Sequence, residues 1–239
     1  MENKMAKIII DGRKVEAKNG ATVLETAREL KIEIPTLCYH KDLTPFGACR
    51  LCMVEVKANG EWKLTSACTT PVTDKMEIKT GSDRVKESRK FAAGMLYYKY
   101  PGDPVIRDMA GRMGVEVDGS GPAKEECILC GLCVRACREA VDVCALKFED
   151  RGPGRDVEEP KIEFDPAACI GCGSCAYVCP TSYVKMETSG GKRTIWNKVF
   201  RMAQCRVCGR YFAPEEQLDY ISRKTGVKKS KLMVCTSCR

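Results

Sequence analysis

The chain has 239 residues, a formal net charge of +8 at pH 7, seventeen cysteines and one histidine. No apolar run approaches the ~20 residues of a membrane span, and the polar start over Met1–Lys7 has no signal-peptide pattern. Those features argue against a secreted disulfide protein and for a reduced, cytoplasmic, metal-loaded one. The excess of Lys and Arg does not by itself indicate nucleic-acid binding, because a metal centre held by four thiolates carries about −2 and draws cations around it.

Sixteen of the cysteines fall into four groups with metal-ligand spacing, and only Cys144 is left over. Residues 1–80 form the first predicted module. Lys7–Lys18 reads as a hairpin turning at Asp11-Gly12. Thr22 and Glu25 have capping-box spacing at the start of a helix that turns Val23, Leu24, Ala27 and Leu30 to one face. A second hairpin, Leu51–Val56 with Glu61–Ser66, turns at Asn59-Gly60 and returns Cys68 to the loop of Cys49 and Cys52. With Cys38 the ligand run is C-x10-C-x2-C-x15-C. It lacks the two paired knuckles of a zinc site, and Gly47 and Ala48 suit a backbone that comes close to an inorganic cluster. The expectation is a β-grasp ferredoxin domain with one [2Fe-2S] cluster on Cys38, Cys49, Cys52 and Cys68. His40 is expected beside the cluster loop, not on the metal.

Residues 81–122 read as a helical connector. Val85, Ser88, Phe91, Ala92, Met95, Leu96 and Lys99 recur with helical period, so this stripe is expected to be the packed face. Pro104 begins a second helix through Met113, and Gly119–Pro122 is a linker.

Residues 123–190 contain an internal repeat. Cys127, Cys130, Cys133 and Cys137, then Cys169, Cys172, Cys175 and Cys179, both read C-x2-C-x2-C-x3-C, with Pro180 after the second copy. This is the spacing of a double [4Fe-4S] ferredoxin, in which the fourth cysteine of each run serves the other cluster. One cluster is then expected on Cys127, Cys130, Cys133 and Cys179, the other on Cys169, Cys172, Cys175 and Cys137. Each fourth cysteine is expected to begin a helix. Ala145–Glu149 and Pro160–Phe164 are expected to pair as strands around a Gly152-Pro153-Gly154 loop, and Cys144 to be a buried, inert thiol on the helix after Cys137.

Residues 191–239 end in two knuckles, Cys205/Cys208 and Cys235/Cys238. Paired C-x2-C knuckles with Gly209 after the first predict a zinc-ribbon-like module holding one Zn2+, with a further iron–sulfur cluster as the alternative. The Lys228–Lys231 run is expected to be a solvated face. The whole is an α+β chain of four modules, with no G-x-G-x-x-G fingerprint and no P-loop.

From Cys38 to Glu55 the chain is similar to the two-iron domain at the front of complex I's large iron–sulfur subunit and of related hydrogenase and formate dehydrogenase subunits. From residue 5 to 188 it resembles the ferredoxin-like iron–sulfur subunit of soluble multimeric NAD(P)-linked hydrogenases. The complex I relatives carry a further cluster on one histidine and three cysteines after the phrase matched by Arg89–Leu96; those ligands are missing here. The resemblance implies an electron-transfer subunit without a catalytic site of its own. It would sit in a hetero-oligomer with a flavin- and NAD(P)-binding iron–sulfur subunit and the small and large subunits of a hydrogenase, with ferredoxin as a further partner if the complex bifurcates electrons. The alternative is an NAD-linked formate dehydrogenase. A zinc-dependent nucleic-acid-binding or scaffold protein is the rival from another class.

Overall fold

A computed structural model of the chain describes residues 5–58, 60–119, 126–149 and 161–239. The chain divides into two compact units, Met1–Cys130 and Gly131–Arg239. No helix among the described residues is long and apolar enough to cross a membrane.

In the first unit β1 (Met5–Ile10) and β2 (Arg13–Lys18) pair antiparallel. Their two-residue turn places Asp11 at φ 47° and Gly12 at φ 79°, both positive as a type I′ turn requires. The Asp11 carboxylate accepts from the Thr80 N–H at 2.7 Å and the Thr80 hydroxyl at 2.6 Å, which ties this turn to a distant segment. Helix α1 (Val23–Glu29) has the expected capping box: the Thr22 hydroxyl accepts from the Glu25 N–H at 3.1 Å, and Glu25 accepts from the Thr22 N–H at 2.8 Å. Strands β3 (Met53–Ala58), β4 (Glu61–Ser66) and β5 (Glu77–Lys79) complete a five-stranded sheet in the order β2-β1-β5-β3-β4. The β1/β5 pair is parallel and the others are antiparallel, which is the β-grasp order. Of the Asn59-Gly60 turn, Asn59 lies outside the described residues. Ile8, Ile10, Leu24, Val54 and Ile78 form the core between sheet and α1.

Helix α2 (Asp83–Lys99) forms where expected, and Val85, Ala92 and Leu96 of the predicted stripe do pack, but the buried face is rotated away from the rest of it. Val85, Arg89 and Ala93 point inward, while Phe91 and Met95 of the predicted stripe are 70% and 57% exposed. The cause is Arg89. Its Nε and Nη2 donate to the Met53 carbonyl at 3.0 and 2.7 Å, so a cation sits inside, satisfying a strand-end acceptor. Helix α3 (Pro104–Arg112) begins with proline at its first position and is capped by Asp103, which accepts from the N–H groups of Val105 and Ile106 at 2.9 and 3.0 Å. Ala93, Ile106 and Ala110 of these helices pack with Leu37 and Leu51, the flanks of the first cysteine loop. From residue 120 the Gly119–Pro122 linker lies outside the described residues.

Glu55, only 5% exposed, accepts from the Ser82 hydroxyl at 2.6 Å and from Arg84 at 3.2 Å. The Ser82 hydrogen bond, followed by Arg84, holds its carboxyl below the usual carboxylate range. A carboxyl depressed on folding stabilises the native state above its unfolded pKa, and that contribution is lost as pH falls through the folded value. Glu55→Gln should therefore lower the melting temperature at pH 7 by about 2–4 °C for each ~1 kcal/mol removed. The gap should close as pH drops below about 4.3, the free carboxyl value. Thermal melts of both proteins across pH 3–7 check this, and a gap that persists at the acid end would refute it.

The second unit opens with α4 (Leu132–Arg135), which runs into a π-helical turn, Ala136–Ala140. Strands β6 (Leu146–Phe148) and β7 (Ile162–Phe164) pair antiparallel as expected. The Gly152–Gly154 loop and Pro160 lie outside the described residues. Helix α5 is the short turn Ser174–Tyr177. The expectation that each fourth cysteine begins a helix is corrected: the third cysteines, Cys133 and Cys175, lie in α4 and α5, Cys137 sits in the π turn and Cys179 follows α5. Gly131 and Gly173, both at positive φ, start the helices early. Cys144 is also corrected, being exposed on a loop with φ 58°, because the π turn ends at Ala140.

Strands β8 (Met186–Ser189), β9 (Lys192–Ile195), β10 (Lys198–Gln204) and β11 (Tyr211–Pro214) make one antiparallel sheet in the order β11-β10-β9-β8. Helix α6 (Glu215–Thr225), α7 (Lys229–Leu232) and a 3-10 turn at Thr236–Cys238 finish the chain. Leu218 of α6 packs on Ala203 and Ala213. From the same helix the Tyr220 hydroxyl donates to the Asp142 carbonyl at 2.8 Å, and Lys224 pairs with the Asp142 carboxylate at 2.7 Å.

Candidate metal centres

The first group lies on the loop between α1 and β3 and on the segment leaving β4. Cys38, Cys52 and Cys68 are buried and Cys49 is half-buried. They come together as two pairs. The Cys49 N–H donates to Cys38 Sγ at 3.5 Å, and Cys52 Sγ lies 3.4 Å from Cys68 Sγ. Within each pair one thiol hydrogen-bonds the other: Cys38 lowers Cys49 to about 6, Cys68 lowers Cys52 to about 7, and Cys38 and Cys68 are themselves pushed up. Four thiols arranged as two close pairs fit a two-metal cluster better than one ion. Gly47 and Arg50 turn the loop at φ 69° and 57°, and Arg50 is anchored by donating to the Ser66 hydroxyl at 2.9 Å. His40 is only part of a local turn, its Nδ1 accepting from the Asp42 N–H at 3.3 Å.

In the second unit Cys137, Cys169, Cys172 and Cys175 line one cavity, closed around by Leu146, Phe164, Ile195 and Trp196. The Ala145 N–H donates to Cys137 Sγ at 3.2 Å, and the Trp196 indole N–H donates to Cys175 Sγ at 3.3 Å. Burial pushes Cys137 and Cys169 up, and Cys175 up to about 12. Thiols raised in this way ionise only against a compensating cation, so a cavity lined by these three and by Cys172 fits a thiolate-bound cluster. Of the other predicted set, Cys127 and Cys130 lie in the first unit, while Cys133 and Cys179 belong to the core of the second.

The tail cysteines converge most tightly. The Sγ atoms of Cys205, Cys208, Cys235 and Cys238 all lie within 4.8 Å of one another, with Cys208 and Cys235 at 3.8 Å. Tetrahedral thiolates about 2.3 Å from one ion stand roughly 3.8 Å apart. A bulge between Ala203 and Gln204 ends the strand just before Cys205, and Gly209 at φ 71° closes the first knuckle, its N–H donating to the Cys205 carbonyl at 2.8 Å. The Cys235 N–H, at 3.3 Å from Cys205 Sγ, leads the groups that lower that thiol to about 6. The Arg210 backbone N–H lowers Cys208, and Cys238 is pushed up to about 12 by hydrogen bonding to Cys208. Of the lysine run, Lys229 pairs with Asp219 at 2.7 Å.

Sequence reasoning misses the β9–β10 hairpin and its Trp196. The Trp196-Asn197 turn lacks the Asn-Gly or Gly-Gly signature that marks such hairpins. An isolated tryptophan between two short alternating runs is the available signal.

Thiol clusters on this scaffold define an iron–sulfur protein of the ferredoxin-like class. Residues 3–83 match the 2Fe-2S iron-sulfur cluster binding domain family, and residues 126–183 match the 4Fe-4S dicluster domain family. The chain is 32% identical over 232 residues to an NADH-quinone oxidoreductase subunit of Rhizobium meliloti (strain 1021), covering 86% of this chain and 27% of that one. It is 32% identical over 210 residues to NADP-reducing hydrogenase subunit HndD of Solidesulfovibrio fructosivorans, covering 74% and 35%. Among solved structures, a chain in the crystal structure of NAD+-reducing [NiFe]-hydrogenase in the H2-reduced state aligns with TM-score 0.50 at 28% identity, over 62% of this chain and 71% of that one. The chain thus spans about a third or less of the length of these two curated relatives.

Proposed function

We propose that this chain is an electron-transfer subunit of a cytoplasmic NAD(P)-linked hydrogenase complex, holding one [2Fe-2S] cluster, two [4Fe-4S] clusters and one zinc. In this reading residues 1–80 hold the two-iron cluster, 81–122 connect, 123–190 hold the four-iron pair and 191–239 hold zinc. The ligands are Cys38, Cys49, Cys52 and Cys68; Cys127, Cys130, Cys133 and Cys179; Cys137, Cys169, Cys172 and Cys175; and Cys205, Cys208, Cys235 and Cys238. The convergence of Cys137 with the three cysteines of the other repeat carries the reading, because crossed ligation is what a double four-iron ferredoxin requires. When bound, such clusters supply one-electron oxidation and reduction. The chain's own residues hold the thiolates, keep water away with Leu146, Phe164 and Ile195, and donate hydrogen bonds to sulfur. In the tail, sulfurs this close together favour a single ion over a four-metal cube, and zinc there folds the segment without redox chemistry.

The neighbours in the complex would be a flavin subunit that handles NAD(P)(H) and the hydrogenase subunits. Anaerobic reconstitution followed by metal analysis and EPR tests the cluster content: about ten irons and about one zinc per chain are expected. About fourteen irons without zinc would overturn the tail assignment. Zinc without iron, with steeply salt-dependent DNA binding, would favour the nucleic-acid reading. Adding the chain to the purified flavin and hydrogenase subunits should restore hydrogen-dependent NAD(P) reduction; failure there, with formate-dependent reduction restored when a formate dehydrogenase subunit replaces the hydrogenase, would overturn the hydrogenase assignment.

A further inference from the structure

The β9–β10 hairpin is fastened to the cysteine loop Cys169–Cys175 by three donors. The Trp196 Nε1–H points at Cys175 Sγ, 3.3 Å away. Arg193 Nη1 donates to the carbonyls of Gly171 and Cys172 at 2.9 and 3.3 Å. Lys198 Nζ donates to those of Pro166 and Cys169 at 2.6 and 3.0 Å. The contact is close at Gly171, where a Cβ would stand 2.6 Å from the buried Phe200 ring of β10.

The turn itself is costly. Trp196 and Asn197 both have positive φ, 51° and 62°. A bulky aromatic residue in that region is an outlier, since glycine, asparagine and aspartate fill such positions without a clash. The strain is held by packing: the Trp196 ring stacks on Phe164 at 5.8 Å and meets Tyr183 edge-on at 6.3 Å. Strain that persists because its surroundings fix it points to a use for the residue it presents.

We infer that Trp196, flanked by Arg193 and Lys198, sets the reduction potential of the cluster held by Cys137, Cys169, Cys172 and Cys175, raising it through the indole hydrogen bond to the Cys175 sulfur and two nearby cations. The physical basis is simple. Reduction adds one negative charge to a centre that is already anionic. Donors and cations fixed beside its sulfurs stabilise the more negative state, and they do so strongly where water is excluded. Trp196 is a tuning residue: it holds no metal, and its ring also closes the cavity on that side.

This inference rests on the proposed four-iron assignment, and the experiment separates the two. Trp196→Phe keeps the stacked ring and deletes the N–H. Iron content and the intensity of the four-iron EPR signals should match wild type. The potential of one four-iron cluster should fall, changing its reduced-to-oxidised ratio at fixed poise about tenfold, or about 59 mV for a one-electron couple. An unmoved potential in a fully loaded variant would overturn the inference. If the variant fails to load, intact protein carrying 15N-indole tryptophan decides: one nitrogen should couple magnetically to a reduced four-iron cluster, and no coupling overturns the inference. Absence of any four-iron signal from wild type would overturn the cluster assignment itself.

Discussion

Serine at both Cys205 and Cys208 should remove the zinc and unfold the tail while about ten irons stay bound. These two thiols supply half of a site whose sulfurs all lie within 4.8 Å of one another. Beyond the β10–β11 pairing and the contacts of Tyr220 and Lys224 with Asp142, the tail has little else to hold it. Its core is a small group around Ala203, Ala213 and Leu218, and α7 buries no residue. Structural zinc contributes on the order of 10 kcal/mol of apparent folding free energy, comparable to the total stability of a whole domain. The segment should therefore lose its fold as a unit. Limited proteolysis reads this as new cleavage within 205–239, and zinc analysis reads the lost ion. A variant that keeps its zinc, or loses iron in proportion to zinc, would overturn the assignment. Because α6 reaches Val141 and Asp142 through Tyr220, the double variant should also loosen the loop before Ala145, whose N–H donates to Cys137.

The second large effect should come from Cys137→Ser. This cysteine belongs to the first repeat by sequence but lines the cavity of the second. Serine's oxygen is a harder and far less acidic ligand than a thiol, and it fits iron–sulfur chemistry poorly. The expected loss is about four of about ten irons, with one four-iron EPR signal gone and the two-iron signal intact. Cys179→Ser should remove the other four-iron signal. If the two variants exchanged these outcomes, each run of cysteines would be serving its own cluster, and crossed ligation would be wrong.

Local chemistry makes much of this protein legible from the order of its residues. The I′ turn at Asp11-Gly12 and the Thr22/Glu25 capping box depend on a few adjacent residues, and both form as expected. The proline start of α3 is of the same kind. Where a distant partner decides, local pattern fails. The inward face of α2 is set by Arg89 finding the Met53 carbonyl, and periodicity counts arginine as outside. Cys144, expected on a helix, falls on a loop because the π turn ends early. The role of Trp196 depends on a cysteine loop more than twenty residues away, reached through a hairpin whose turn residues carry no hairpin signature.

The order of the amino acids by itself determined the kind of chemistry, because sixteen of seventeen cysteines stand at metal-ligand spacing in a chain whose start has no signal-peptide pattern, which favours thiolate-bound metal over disulfides. Tertiary structure alone decided which thiols pair in the first group and which donors surround the cavity that Cys137 lines, as the repeat spacing predicts, with the cysteines of the second repeat. The physical reason is range. Ligand spacing and turn geometry are short-range properties written into adjacent positions, whereas hydrogen bonds to sulfur and dry surroundings arise only when packing brings remote strands together.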